Sequence, residues 1–249
     1  MYFFKKRQQK SSVLQTLDKL PSHIGIILDG NGRWAQRRGL ARPAGHTSGA
    51  STFKTIVRYC SDIGIKYLTA YAFSTENWSR PQDEVTALMS LLQSYLEEAI
   101  KDFKNDSIIV KFIGDTTRLN SKLRQLIREA EDGSKSRVGM ILNIALNYGS
   151  RNEIVYAVKN IAKKVINGEI GTDKINEALI AENLYTAGQP DPDFIIRTGG
   201  EFRLSNFLLW QSAYAEYIIS DKLWPDFKPS DIDECILEFS KRSRRFGGI

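Results

Sequence analysis

Apolar positions along the chain keep two alternating rhythms. Short β-rich runs occur at Ile24–Leu28, Tyr67–Phe73, Ile108–Ile113, Met140–Leu146, Phe194–Ile196 and Tyr217–Ile219. Several are continuous rather than alternating, as expected of strands covered on both faces. Longer stretches between them keep helical spacing. In one, Val85, Leu88, Met89, Leu92, Leu96, Ala99, Ile100 and Phe103 recur at helical intervals, with Pro81 in the first turn and Ser79 and Gln82 as an expected capping box. Further helices are expected over about 47–62, 117–132, 151–166 and 230–243. Strand–helix alternation predicts a single α/β domain built on a central, mostly parallel six-stranded sheet with helices on its faces. In such sheets ligands bind beyond the carboxyl ends of the strands.

Composition narrows the classes. Apolar residues are 42% and charged residues 26% of 249, which is enough apolar mass for a core. Two cysteines, Cys60 and Cys235, make neither a disulfide framework nor a structural zinc site, and fit a reducing compartment. No stretch approaches the roughly 18 uninterrupted apolar residues of a membrane span. Met1-Tyr2-Phe3-Phe4 before Lys5-Lys6-Arg7 does not read as a signal peptide. The formal charge of +6 is concentrated at the ends: residues 1–20 carry net +4 and residues 236–249 net +3, which leaves 21–235 at −1. A nucleic-acid surface is therefore not indicated.

The chemistry gathers at the strand ends. The first strand runs into Asp29-Gly30-Asn31-Gly32-Arg33-Trp34-Ala35. Gly30, Gly32 and Ala35 match the dinucleotide pattern, but no acid stands about 20 residues on to hold a ribose. Asp29 would also repel a pyrophosphate unless a cation intervened. A diphosphate site with Mg²⁺ on Asp29 and Arg33 beside it is the better reading; a bare strand-to-helix turn is the alternative. Arg42 and His46 follow and could add donors. The second strand ends in Ser74-Thr75-Glu76-Asn77-Trp78-Ser79-Arg80. There Ser74 and Asn77 suit a proton relay or merely satisfy the turn, Arg80 suits phosphate, and Trp78 suits packing. The fourth long strand, by its apolar length, is placed at the sheet centre. The fifth ends in Arg197-Thr198-Gly199-Gly200-Glu201-Phe202-Arg203-Leu204-Ser205-Asn206, a second anion cradle in which an Arg203–Glu201 salt bridge is the competing use. Glu216 begins the last strand as a second carboxylate for a shared metal. A hydrolase triad, a zinc motif and a Walker A lysine are all absent from the sequence.

These blocks, together with Trp224-Pro225-Asp226-Phe227, resemble the signature segments of the cis-prenyltransferase (isoprenyl transferase) family, most of all the bacterial undecaprenyl diphosphate synthases. The resemblance runs in order from about His23 to Gly248. It implies residues 21–249 as one catalytic domain with a hydrophobic tunnel, residues 1–20 as a flexible basic tail, and Arg245-Phe246-Gly247 as a contact with the other subunit of a homodimer. It implies Mg²⁺-dependent condensation of isopentenyl diphosphate onto an allylic diphosphate such as farnesyl diphosphate, giving a cis-polyprenyl diphosphate of medium length, the precursor of a cell-wall lipid carrier. The setting implied is cytoplasmic, with the product lipid at the membrane surface and no nucleic acid.

Residue by residue, the resemblance makes Asp29 the metal-binding catalytic carboxylate, with Glu216 completing the metal site. Gly30, Asn31, Gly32, Arg33, Trp34, Arg42 and His46 hold the allylic diphosphate. Ser74 and Asn77 assist proton removal, and Thr75, Glu76, Trp78 and Arg80 line the substrate site. Arg197, Arg203, Leu204 and Ser205 hold isopentenyl diphosphate; Phe202 is given no metal role. The helix from Val85 to Phe103, with Met140 and Ile144, is the expected tunnel wall. A Rossmann-like dinucleotide enzyme and a non-catalytic membrane or scaffold subunit are the competing classes, and Asp29, Asn77, Arg203 and Glu216 weigh against the second.

Overall fold

In the computed structural model, residue 14 and residues 20–102 and 106–242 are described. The elements are β1 (His23–Ile27), α1 (Asn31–Gln36), α2 (Arg42–Ile63), β2 (Tyr67–Ser74), α3 (Gln82–Asp102), β3 (Ile109–Ile113), α4 (Ser121–Ser134), β4 (Ile141–Tyr148), α5 (Ser150–Ile166), α6 (Glu177–Ala181), β5 (Phe194–Thr198), β6 (Glu216–Ser220) and α7 (Pro229–Lys241). The six strands form one sheet in the order β3-β4-β2-β1-β5-β6. All five pairings are parallel, as the unbroken apolar runs require. The fourth long strand, β4, is second from the edge and not central; it reads as central because helices cover it on both faces, leaving Leu142 to Tyr148 buried.

The chain leaves β1 in one direction towards β2 and β4, and later returns on its other side as β5 and β6. The carboxyl end of β1 is therefore the switch point where a crevice opens. Gly25 lets β1 pass closely under its neighbours, since a Cβ there would stand 3.0 Å from Ile195.

Helix starts differ from expectation in places; α4 begins at Ser121, four residues late, because Thr116–Arg118 forms a separate short turn before it. α2 begins at Arg42, five residues early, because Pro43 sits in its first turn. Its Gly45 does not interrupt it: a Cβ there would lie 2.0 Å from the Asn31 carbonyl, so the glycine lets α1 rest on α2. The capping box lies one turn before the expected one. Ser74 N–H donates to Asn77 Oδ1 at 2.9 Å, the Ser74 side chain accepts from the Asn77 backbone, and Ser79 donates its hydroxyl to the Glu76 carbonyl.

Leu14 is buried in the core with Ile24, Ile56 and Phe194, which corrects the expectation of a free tail at that residue. Residues 1–13 and 15–19 of the expected 1–20 tail, Phe103 of the α3 face and the Arg245–Gly247 motif lie outside the described residues.

Candidate active site

Asp29 stands two residues past the end of β1, and its backbone is braced on both sides. Thr198 Oγ1, fully buried at the end of neighbouring β5, accepts from the Asp29 N–H at 3.0 Å and donates to its carbonyl at 2.8 Å. The Trp224 N–H donates to the same carbonyl at 2.9 Å. Sequence reasoning missed Thr198, whose only signal was its place between Arg197 and the glycine pair.

The Asp29 carboxylate is clamped between two guanidinium groups. Arg197 Nη2 lies 2.7 Å from Oδ2 and Arg33 Nη2 lies 3.2 Å from Oδ1. Burial alone would raise the Asp29 pKa; the hydrogen bond and charge of Arg197, followed by those of Arg33, outweigh it and hold the group below the ordinary range. Arg197 Nη1 donates to Ser205 Oγ at 2.8 Å and to the Arg203 carbonyl, while its Nε is buried without a partner. Arg33 Nη1 reaches the Gly199 carbonyl at 2.8 Å, and only glycine fits there. Gly199 has φ +87, and a Cβ on it would come 2.5 Å from Arg33 Nη2.

Around this clamp, the expected residues take three kinds of position. Asn31 Oδ1 is buried without a partner beside Gly49. Arg42 and Arg80 converge on opposite oxygens of Glu84, at 3.3 and 2.9 Å. His46 lies among them, and burial first, then the charges of Arg80 and Arg42, lower its pKa against the opposing pull of Glu84. Gly32 allows Arg42 to approach, since a Cβ there would lie 3.0 Å from its Nε. Three basic side chains, Arg42, His46 and Arg80, thus gather around the single carboxylate of Glu84.

Other expected residues are engaged in structure. Trp34 Nε1 donates to Asp226 at 2.7 Å, with Arg38 stacked 4.1 Å over its ring. Trp78 Nε1 donates to Asn147 at 2.6 Å and its ring meets Phe73 edge-on, which is packing. Arg203, exposed, pairs with Glu201 at 2.7 Å. Leu204 packs against the buried cluster that contains Tyr71, Tyr148 and Phe207. Thr75 and Glu76 hydrogen-bond each other at 3.1 Å.

Glu216 is the clear correction. It is in register with Phe194 of β5 and Ile24 of β1, at the amino end of the sheet, whereas Asp29 lies beyond the carboxyl end. Its carboxylate pairs with Arg242 at 2.8 Å. Within one chain, Glu216 and Asp29 therefore cannot share a metal: parallel strands carry the start of β6 to the opposite edge from the end of β1. No three-member group of His, Cys, Asp or Glu suited to a metal occurs among the described residues.

Beside the clamp opens a cavity of about 520 Å³, bounded by α2, α3, α4, β2 and β4. Asn31 and His46 stand at one end, and Gly133 in the last turn of α4 and Arg137 just beyond that helix at the other. Leu88, Leu91, Leu92, Tyr95 and Leu96 of α3 face Gly49, Ala50 and Phe53 of α2, with Trp224 alongside. Ala72 is solvent-accessible although it lies on the inner strand β2, because its methyl points into this space. Of the expected tunnel-wall residues on the sheet and at the start of α3, Ile144 lines this cavity, whereas Val85 and Met140 are buried in the core and do not. The α2 wall and Trp224 were not expected from the sequence.

A family model described as putative undecaprenyl diphosphate synthase matches residues 27–247. The chain is 49% identical to an isoprenyl transferase of Clostridium perfringens over all of its own length and 98% of that protein's. It is 45% identical, over the full length of both, to a farnesyl-diphosphate-specific ditrans,polycis-undecaprenyl-diphosphate synthase of Micrococcus luteus. Among solved structures, lavandulyl diphosphate synthase from Lavandula x intermedia, in complex with dimethylallyl diphosphate, superposes with TM-score 0.89 at 38% identity, covering 92% of this chain and 99% of that one. A probable undecaprenyl diphosphate synthase from Campylobacter jejuni superposes with TM-score 0.76 at 34% identity, covering 93% and 100%.

Proposed function

Since the chain belongs to the prenyltransferase family of the undecaprenyl diphosphate synthases and is a cis-prenyl chain-elongating enzyme, we propose that it condenses isopentenyl diphosphate units onto farnesyl diphosphate at Asp29. The observation that carries this reading is the pairing of a doubly clamped carboxylate with an apolar cavity at the switch point.

Arg33, Arg42, His46 and Arg80, with the free N–H groups where α1 begins, receive the allylic diphosphate. Arg197 and Ser205, with Arg203 once it leaves Glu201, receive isopentenyl diphosphate. Preorganised donors stabilise charge as it develops on the departing diphosphate, and holding both substrates adds proximity. The Ser74–Asn77 turn uses one lone pair of Asn77 Oδ1, which leaves the other and the amide group for proton handling at isopentenyl diphosphate. The lengthening hydrocarbon enters the cavity, where each buried CH₂ is worth about 0.8 kcal/mol.

Mg²⁺ fits the donor set. It is held by one or two carboxylates plus substrate phosphates rather than by an all-protein cage, and Asp29, ionised and partly accessible, would hold it. Bound there, it supplies charge neutralisation to the leaving diphosphate.

Val155 and Val158, one turn apart on α5 and exposed, with Tyr214 exposed nearby in sequence to β6, support pairing of two copies as a homodimer. No helix among the described residues is long and apolar enough to cross a membrane; the product lipid accounts for contact with the membrane surface of an otherwise cytoplasmic enzyme. The dinucleotide reading loses its support, because the matching family model and the relatives are prenyltransferases and no acid stands about 20 residues on to hold a ribose.

The deciding experiment is incubation of the full chain with farnesyl diphosphate, labelled isopentenyl diphosphate and Mg²⁺, followed by chain-length analysis. A ladder of polyprenyl products is expected, and absence of incorporation would refute the reading.

A further inference from the structure

The loop from Arg203 to Leu208 holds three non-glycine residues with left-handed backbone: Ser205 at φ 50, Asn206 at φ 64 and Leu208 at φ 47. Such a run persists only where its surroundings over-determine it. Asn206 is held on three sides. Its Nδ2 donates to Glu76 Oε1 at 2.8 Å, its Oδ1 accepts from the Arg151 N–H at 2.9 Å, and its carbonyl accepts from the Ser150 N–H at 2.8 Å. Thr75 donates to the other Glu76 oxygen at 3.1 Å. Space for the bracket comes from Gly149, where a Cβ would lie 2.7 Å from Asn206 Nδ2 and 2.5 Å from Thr75 Oγ1. Burial pulls the Glu76 pKa up, but hydrogen bonds, that of Asn206 foremost, hold it below its ordinary value.

The two segments joined in this way carry different halves of the proposed chemistry. Glu76 lies inside the Ser74–Asn77 capping turn, and Asn206 follows Ser205, the hydroxyl partner of Arg197. Strand pairing does not align them directly, because β1 stands between β2 and β5. We propose that Asn206 is a positioning residue that latches the Ser74–Asn77 turn, through Glu76, to the Arg197–Ser205 anion cradle. The latch rests on the prenyltransferase reading above and adds to it the part that sets proton-handling groups at a fixed distance from the second diphosphate. Its direction is specific: an amide donor on Asn206 faces a carboxylate acceptor on Glu76.

That polarity gives the test. Asn206→Asp keeps an acceptor for the Arg151 N–H at the start of α5, where negative charge is favourable, but sets two carboxylates against each other. Kinetics with farnesyl diphosphate, isopentenyl diphosphate and Mg²⁺ should show kcat/KM for isopentenyl diphosphate about tenfold or more lower, with the melting temperature within a few degrees of the parent. In a Glu76→Gln background the new pair is amide donor and carboxylate acceptor, so there Asn206→Asp should cost less than about threefold. An unchanged Asn206→Asp single variant would overturn the latch, as would an equal loss in both backgrounds. Failure of the parent enzyme itself to elongate would instead sink the prenyltransferase reading.

Discussion

Arg197 Nη2 stands 2.7 Å from Asp29 Oδ2, across 168 residues of sequence. Only the adjacency of β1 and β5 brings the two side chains together. The pair holds Asp29 ionised, and Asp29 gives the buried guanidinium its counter-charge. Asp29→Asn removes the charge with almost no change of shape. We expect the folded fraction to be retained and kcat to fall by roughly 10²–10³, the scale of losing a preorganised electrostatic group. Circular dichroism and steady-state turnover on the same sample check it; near-normal turnover would remove Asp29 from the mechanism.

Thr198 predicts a separable effect. Thr198→Val leaves the volume but strips the hydroxyl that satisfies both the N–H and the carbonyl of Asp29. Leaving buried polar groups unpaired costs about 1–3 kcal/mol, so the denaturation midpoint should drop and turnover with it. Thr198→Ser keeps the hydroxyl and should recover most of both. Equal behaviour of the two variants would show that the hydroxyl is idle.

The far end of the cavity offers a test of where the hydrocarbon goes. A Cβ added at Gly133 meets nothing within 4 Å, yet Gly133 lines the cavity and lies within α4. Gly133→Leu should therefore stabilise the helix by about 0.5–1 kcal/mol while filling space comparable to an isoprene unit. Chromatography of the products should show a distribution shifted to shorter chains at an unchanged or raised melting temperature. The same product distribution as the parent would place the growing chain elsewhere.

His23 predicts acid sensitivity. It is fully buried at the amino end of β1, with Nδ1 2.7 Å from the Pro190 carbonyl and Nε2 2.8 Å from Thr69 Oγ1. Burial lowers its pKa from 6.5 to about 4, against smaller opposing effects of the Pro190 hydrogen bond and Asp193. Below pH 6.5 the unfolded chain takes up a proton that the folded chain does not. Stability is thus fully present above about pH 6.5 and declines as pH falls towards 4, by up to about 3 kcal/mol from this group. Melting curves from pH 7.5 to 4 should show the decline, and His23→Gln should flatten it. A variant with the parent's slope would assign the acid sensitivity to other groups.

Local features are the ones legible in the amino-acid sequence. The runs that form all six strands are visible in it to within two residues, because strand propensity and continuous burial are short-range patterns. Asp29, Arg33 and Arg197 stand out because parallel sheets place chemistry beyond the carboxyl ends of their strands. The capping box is harder to place: Ser79 and Gln82 offer the same kinds of side chain at the same spacing as Ser74 and Asn77, one turn earlier, where the box forms. Trp34 and Trp78 cannot be sorted into ligand or packing roles from the sequence, because their partners Asp226 and Asn147 lie 192 and 69 residues away.

Sequence by itself determined the alternation of strands and helices, the family and the three blocks of side chains that carry charge. Tertiary structure alone decided which of those blocks meet. It put β1 between β2 and β5, so that Asp29, already paired with Arg33 four residues on, meets Arg197, while Glu216, on a strand running the same way, begins at the opposite edge. It also decided the cavity, whose wall from Gly49, Phe53 and Trp224 has no local signature. Spacing along a chain reports which side chains share a face of one element; convergence of elements depends on strand order, which is settled by the burial of whole faces.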